Sequence, residues 1–175
     1  MTRIDMDLKP VDRITVDAIG QPGARVFYIQ AQKAEQVVTI LLEKIQVQTI
    51  CVGVEQFLAE IAQKYPDLSP VEGKYHEEDM RIVPPVDPVF RAGEIGLAYS
   101  VDDDLAIFIV KEIPTTQLVE AELGEIRFWC TREQMADLSH WGIELSGRGR
   151  PICPQCGEPM APEGHLCPKK NGHKK

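Results

Sequence analysis

The last 28 residues constrain the fold more than any other stretch, because they cannot fold by burial alone. RGRPICPQCGEPMAPEGHLCPKKNGHKK holds three of the chain's five cysteines, two of its four histidines and five of its thirteen prolines. Its large apolar residues are only Ile152, Met160 and Leu166, so another source of folding energy is needed. The residue types name that source. Cys153 and Cys156 form C-P-Q-C-G, a spacing that lets two thiolates of one tight turn converge on an ion, with Gly157 free to take the positive φ such turns use.

Cys167 adds a third sulfur, and a tetrahedral shell needs a fourth ligand. Two histidines compete for the place. His165 lies two residues before Cys167 and shares its side on an extended chain; His173 can return through the Asn171-Gly172 turn. Thiolate-rich shells favour zinc over oxygen-loving cations. Four protein ligands leave no open position for chemistry, so the expected ion is a structural Zn2+ that supplies on the order of 10 kcal/mol of folding energy to the tail. Glu158 and Glu163, the tail's carboxylates, read as solvated turn residues.

The remaining length is right for one well-buried core, which divides the chain into an α+β domain over residues 1–147 and a metal-binding, zinc-ribbon-like tail over residues 148–175. The net charge of −8 is divided unequally, +4 on the tail and −12 on residues 1–147. An acidic body argues against general nucleic-acid binding and leaves such contacts only to the tail, through Arg148, Arg150, Lys169, Lys170, Lys174 and Lys175. The start, MTRIDMDLKPVDRITV, has scattered acids and lacks the apolar stretch of roughly 7 to 15 residues of a secretory signal. No run approaches the ~18 apolar residues of a membrane span. The expected location is the cytoplasm, away from membranes, where thiols stay reduced and clustered cysteines signify metal.

Along the body, DRITVDAIG and ARVFYIQAQ flank GQPG and read as a hairpin after a loose start. From Lys33 to Tyr65 apolar residues recur at helical spacing, through Val37, Leu41 and Ile45 and then Val54, Leu58 and Ile61. This predicts a helix, with a break where the β-branched run meets Gly53 and an end at Pro66. Residues 66–88 hold five prolines and read as a surface crossover. FRAGEIGLAYSV and LAIFIVKEI form a second hairpin around DDD. GEIRFWC is a strand with Ile126, Phe128 and Cys130 on one face, and Thr131 with Gln134 is the capping box of a final helix. Hairpins without regular βαβ alternation predict an α+β fold with a mainly antiparallel sheet and packed helices.

Other chemistry-bearing residues read as structural. Cys130, with His140 ten residues on, shares the core face of its strand; Cys51 lies in an apolar run. His76, Glu77, Glu78 and Asp79 fit no spaced ligand pattern, and Asp102 to Asp104 read as a hairpin tip. No P-loop, G-x-G-x-x-G or G-x-S-x-G occurs.

Four blocks, DRITVDAIGQPGARVFYIQA, FRAGEIGLAY, RFWCTREQM and RPICPQCGEPMAPEGHLCP, resemble in this order a family of uncharacterised bacterial proteins of about this length, a domain of unknown function. The resemblance places the family's C-terminal cysteine motif on Cys153, Cys156 and Cys167, with His165 in the same block. Genes of that family often lie near predicted kinase-like and phosphatase-like proteins, which implies a regulatory or metabolic partner. The leading expectation is a non-enzymatic protein that binds a partner or small ligand through its α+β body. The alternatives are an enzyme with its site in the body, and nucleic-acid binding through the basic tail.

Overall fold

The computed structural model describes residues 3–116, 122–161 and 163–169. The elements are β1 (Asp5–Leu8), β2 (Arg13–Ile19), β3 (Val26–Lys33), β4 (Gln36–Leu42), α1 (Lys44–Lys64), a 3-10 turn (Glu77–Met80), β5 (Pro88–Ser100), β6 (Leu105–Glu112), β7 (Glu125–Cys130) and α2 (Arg132–Gly147). Among the described residues the strands form one seven-stranded sheet in the order β1-β7-β6-β5-β4-β3-β2. β1 with β7 and β4 with β5 are parallel and the other neighbours antiparallel, so the fold is α+β with a mostly antiparallel sheet.

Local signals account for most elements. In the β2–β3 hairpin Gly20 has φ +113°, and a Cβ there would fall 2.7 Å from the Ala24 carbonyl oxygen, so the turn requires glycine. β7 alternates as its sequence predicts, with Ile126, Phe128 and Cys130 buried. Thr131 Oγ1 accepts the Gln134 N–H at 3.1 Å and Gln134 Oε1 accepts the Thr131 N–H at 2.9 Å, which is the predicted capping box opening α2.

Three expectations need correction. Residues 36–42 are strand, not the first turns of a helix: QVVTILL is dense in β-branched side chains that suit a pleated surface, and both faces of β4 carry buried residues. The helix therefore begins at Lys44, and it runs unbroken through Gly53, because helical hydrogen bonding and burial of Val47, Ile50, Cys51, Val54 and Ile61 outweigh one glycine. The start of the chain is not loose, since β1 pairs with β7.

The link between β1 and β2 shapes the sheet. Laid flat, the outermost strands of seven would stand about 29 Å apart, whereas a link of residues 9–12 reaches at most about 18 Å. The sheet therefore coils until its edges meet at one end. There the Val11 N–H donates to the Trp129 carbonyl of β7 at 2.9 Å and the Asp12 N–H to the Gln32 carbonyl of β3 at 2.8 Å.

One face of the coiled sheet is apolar, with Val16, Ile29 and Ile40 in register and Phe108 opposite Phe128, all fully buried. α2 lies against β2 and α1 packs on α2. Trp141 of α2 is wholly buried and donates its Nε1–H to the Val16 carbonyl at 2.6 Å. The opposite face of β2 to β4 carries buried Thr15, Asp17, Gln30 and Thr39, polar groups that need partners. Residues 79–83 supply them as a strap. Thr15 Oγ1 donates to the Met80 carbonyl at 2.6 Å, Asp17 accepts from Arg81 at 2.9 Å and from the Ile82 N–H at 3.1 Å, and Gln30 exchanges two bonds of 2.9 Å with the Val83 main chain.

Candidate metal centre

The tail folds as two tight turns that follow α2. In the first, the Cys153 N–H donates to the Glu158 carbonyl at 2.8 Å, the Gly157 N–H to the Cys153 carbonyl at 2.9 Å and the Met160 N–H to the Pro151 carbonyl at 2.7 Å, with a bridge between Ile152 and Pro159. Gly157 has φ +77°, the conformation its place after the second cysteine predicts. The second turn pairs Ala161 with Gly164, whose φ is +98°, and delivers His165 and Cys167 beside the first.

These turns bring one donor atom each from Cys153, Cys156, His165 and Cys167 within 4.8 Å of one another, a group able to hold a metal ion. Cys153 Sγ lies 3.9 Å from Cys167 Sγ, and Cys156 Sγ lies 3.7 Å from His165 Nε2. A tetrahedron with bonds of ~2.3 Å to sulfur and ~2.05 Å to nitrogen has edges of about 3.8 Å between sulfurs and about 3.6 Å from sulfur to nitrogen. These two donor distances match edges of such a shell, and all four donors fall within 4.8 Å of one another. Main-chain N–H groups of Cys156 and then Gln155 favour the Cys153 thiolate and bring that thiol down to about 7. Cys153 and Cys167 are buried although the tail has almost no apolar core. The competing His173 lies outside the described residues.

The remaining candidates separate from this cluster. Cys130 is fully buried and its thiol contacts the Phe128 carbonyl at 3.5 Å; burial pushes its proton affinity up. Cys51 is likewise buried and pushed up to about 12, by burial first and by Glu55 second. His140 lies 3.8 Å from Glu55, in a cavity of about 720 Å³ that Arg132, Lys74 and Glu72 also line. Glu77 is held by ion pairs: Arg148 donates two bonds of 2.8 Å and Arg81 one of 2.6 Å, and chiefly the Arg148 bonds draw its carboxyl down to about 2. Asp104 is more than a hairpin tip, because it accepts Arg132 Nε and Nη2 at 2.7 and 3.0 Å while Tyr99 donates to it at 2.6 Å. Lys170, Lys174 and Lys175 lie outside the described residues.

A feature with no short motif is an apolar groove of about 420 Å³ between α1 and the β5–β6 face, formed by Ile45, Ile50, Ile95, Leu97 and Phe108. Its one visible trace in the sequence is Ile45, which breaks the polar surface of α1 and is 66% exposed. No described helix is long and apolar enough to cross a membrane.

No curated protein and no solved structure matches the chain. A family model does match, over residues 6–167, a span that takes in nearly all of the sheet, both helices and all four residues of the cluster. The chain belongs to the family described as Protein of unknown function (DUF3090).

Proposed function

We propose that Cys153, Cys156, His165 and Cys167 hold a structural zinc ion, and that the chain is a non-enzymatic cytoplasmic protein whose body binds a protein partner or small ligand. The observation that carries the metal reading is the convergence of three sulfurs and one imidazole nitrogen within 4.8 Å. That donor set suits zinc, and four protein ligands fill a tetrahedral shell. The binding reading draws support from the apolar groove. It is lined by no acid, base or nucleophile; the Gln46 amide is spent on the Ala92 and Gly93 carbonyls at 3.0 and 3.2 Å, and the Thr49 hydroxyl on the Ile45 carbonyl at 2.8 Å. Such a lining offers burial to an apolar group. An enzyme with its site in the body is the second reading, favoured by the cavity around His140 and Glu55.

Elemental analysis of natively purified protein tests the metal, with thiol alkylation on the same sample. The expected result is one zinc per chain, lost in Cys153→Ser and His165→Ala, with three thiols becoming reactive on chelation while Cys51 and Cys130 stay protected by burial. Metal-free native protein whose tail thiols alkylate freely overturns the reading. For the groove, Leu97→Trp should abolish uptake of an apolar fluorescent dye; unchanged uptake removes the groove as the ligand site.

A further inference from the structure

We infer that the seam between tail and body is a binding site for a small molecule bearing a phosphate or similarly multivalent anionic group, held by Arg25, Lys44 and Arg150. These three cations line a cavity of about 350 Å³ together with Gly23, Phe27, Gly149, Ile152 and Pro159, and among the described residues no carboxylate lines it. That is unexpected in a chain with 27 acidic and 19 basic residues. Elsewhere most arginines find carboxylates, Arg81 with Asp17, Arg91 with Glu43, Arg127 with Asp7, Arg132 with Asp104 and Arg148 with Glu77, while Arg13 donates to the Asp79 and Arg81 carbonyls. Glu43, the acid nearest Lys44 in sequence, is taken by Arg91.

The cations are aimed rather than scattered. Arg25 Nη1 donates to the Leu145 carbonyl at 3.0 Å and the guanidinium rests 5.0 Å from the centre of the Phe27 ring. Its Nη2 and Lys44 Nζ lie 3.4 and 3.0 Å from the point where a Cβ on Gly149 would sit, so two positive charges converge on one stretch of bare backbone. Arg150 is tethered by the Gly23 carbonyl at 3.4 Å. Burial lowers the proton affinity of Arg25, the mark of a cation partly stripped of water. Lys44 is also misplaced for stability. It opens α1, whose first turn carries no acid, and the positive end of a helix dipole disfavours a cation. Convergent cations that make no ion pair with a carboxylate among the described residues, the half-buried Arg25 beside the exposed Lys44 and Arg150, are what a multivalent anion needs. Phe27, Ile152 and Pro159 add apolar walls for the rest of the molecule.

The site rests on the zinc reading in one respect: Ile152 and Pro159 form the bridge that closes the Cys153–Cys156 turn, so the metal would order one wall of the cleft. Calorimetric titration of the metal-replete full chain at low salt with pyrophosphate, inorganic phosphate and a nucleoside monophosphate tests the assignment, with a single-stranded oligonucleotide as a further arm. The expected result is binding of at least one small phosphate, weakened about tenfold or more by Arg25→Gln and by Lys44→Gln. Lys44→Gln should at the same time leave thermal stability equal or higher, and Lys169→Gln, a tail cation outside the cleft, should change nothing. Absence of phosphate binding, or affinity in both cleft variants equal to that of the unaltered protein, overturns the site. So does tighter oligonucleotide binding that falls steeply with salt and depends on Lys169 as well. Protein that proves metal-free yet binds phosphate through Arg25 and Lys44 removes the zinc and leaves the cleft; zinc-loaded protein that binds no phosphate does the reverse.

Discussion

Two glycines on the facing helices should respond to alanine in opposite directions. An interior helical glycine costs about 1 kcal/mol relative to alanine, so both positions begin with something to gain. At Gly53 in α1 a Cβ would meet nothing within 4 Å, and Gly53→Ala should stabilise by about 0.5–1 kcal/mol. At Gly142 in α2 a Cβ would fall 2.3 Å from Cys51 Sγ and 3.1 Å from Val16 Cγ2, against ordinary contacts of about 3.5–4 Å. Cys51 is fully buried on α1 and its sulfur is one bond from Cβ, so it has no solvent to swing into. α1 and α2 must separate by more than about 1 Å or α2 must lift from β2, an overpacking cost of about 1–3 kcal/mol that outweighs the propensity gain. Gly142→Ala should therefore lose about 1–2 kcal/mol, or roughly 2–8 °C in melting temperature for a chain this long. Urea unfolding at fixed metal concentration measures both variants, with Trp141, one residue away and wholly buried, as the fluorescent reporter. Cys51→Ala removes the offending sulfur, so the double variant should recover about 1–2 kcal/mol relative to the sum of the singles. Gly142→Ala as stabilising as Gly53→Ala, or a cycle with no coupling, would refute this helix packing.

The strap offers a second perturbation. Gln30→Ala leaves the Val83 N–H and carbonyl unpaired over the sheet, which should cost about 2–4 kcal/mol and raise amide exchange at Val83 more than in α2. The ion pair of Glu77 gives a pH signature. Its carboxyl sits at about 2 rather than the ordinary 4.5, chiefly because Arg148 donates to it. A depressed acid stabilises the fold above its unfolded value and loses that contribution as pH falls from about 4.5 toward 2. Glu77→Gln should lower stability near neutrality, where the ion pair contributes in full, and flatten the profile between about 4.5 and 2, so that the two proteins converge in acid; an identical acid limb in both proteins counts against the pair.

What could be read from the sequence was whatever is encoded over a short span. The donor residues Cys153, Cys156, His165 and Cys167 occupy fifteen residues and two turns, so spacing announces the three cysteines and leaves the fourth place between His165 and His173. Thr131 with Gln134, and the alternation of Ile126, Phe128 and Cys130, are equally local. β4 escaped because its hairpin turn, Ala34-Glu35, carries no glycine or asparagine. Ala34 takes φ +51°, and its N–H is held at 2.6 Å by the carboxylate of Asp12, far back in the chain. With that turn hidden, the recurrence of Val37, Leu41 and Ile45 passed for a helix, although the first two belong to strand β4 and pair with Gln32 and Tyr28 of β3. β1 escaped because its one strand neighbour among the described residues is a parallel partner near the other end of the body. The cationic cleft is the extreme case, since Arg25, Lys44 and Arg150 come from a hairpin, a helix start and the tail, and no spacing rule connects them. Each would be an ordinary solvated charge in an unfolded chain. Their convergence arises only when the coiled sheet brings α1 and α2 to one side and the first tail turn docks beside the β2–β3 hairpin, which is why a metal that orders that turn and an anion that neutralises those charges should be felt as one event.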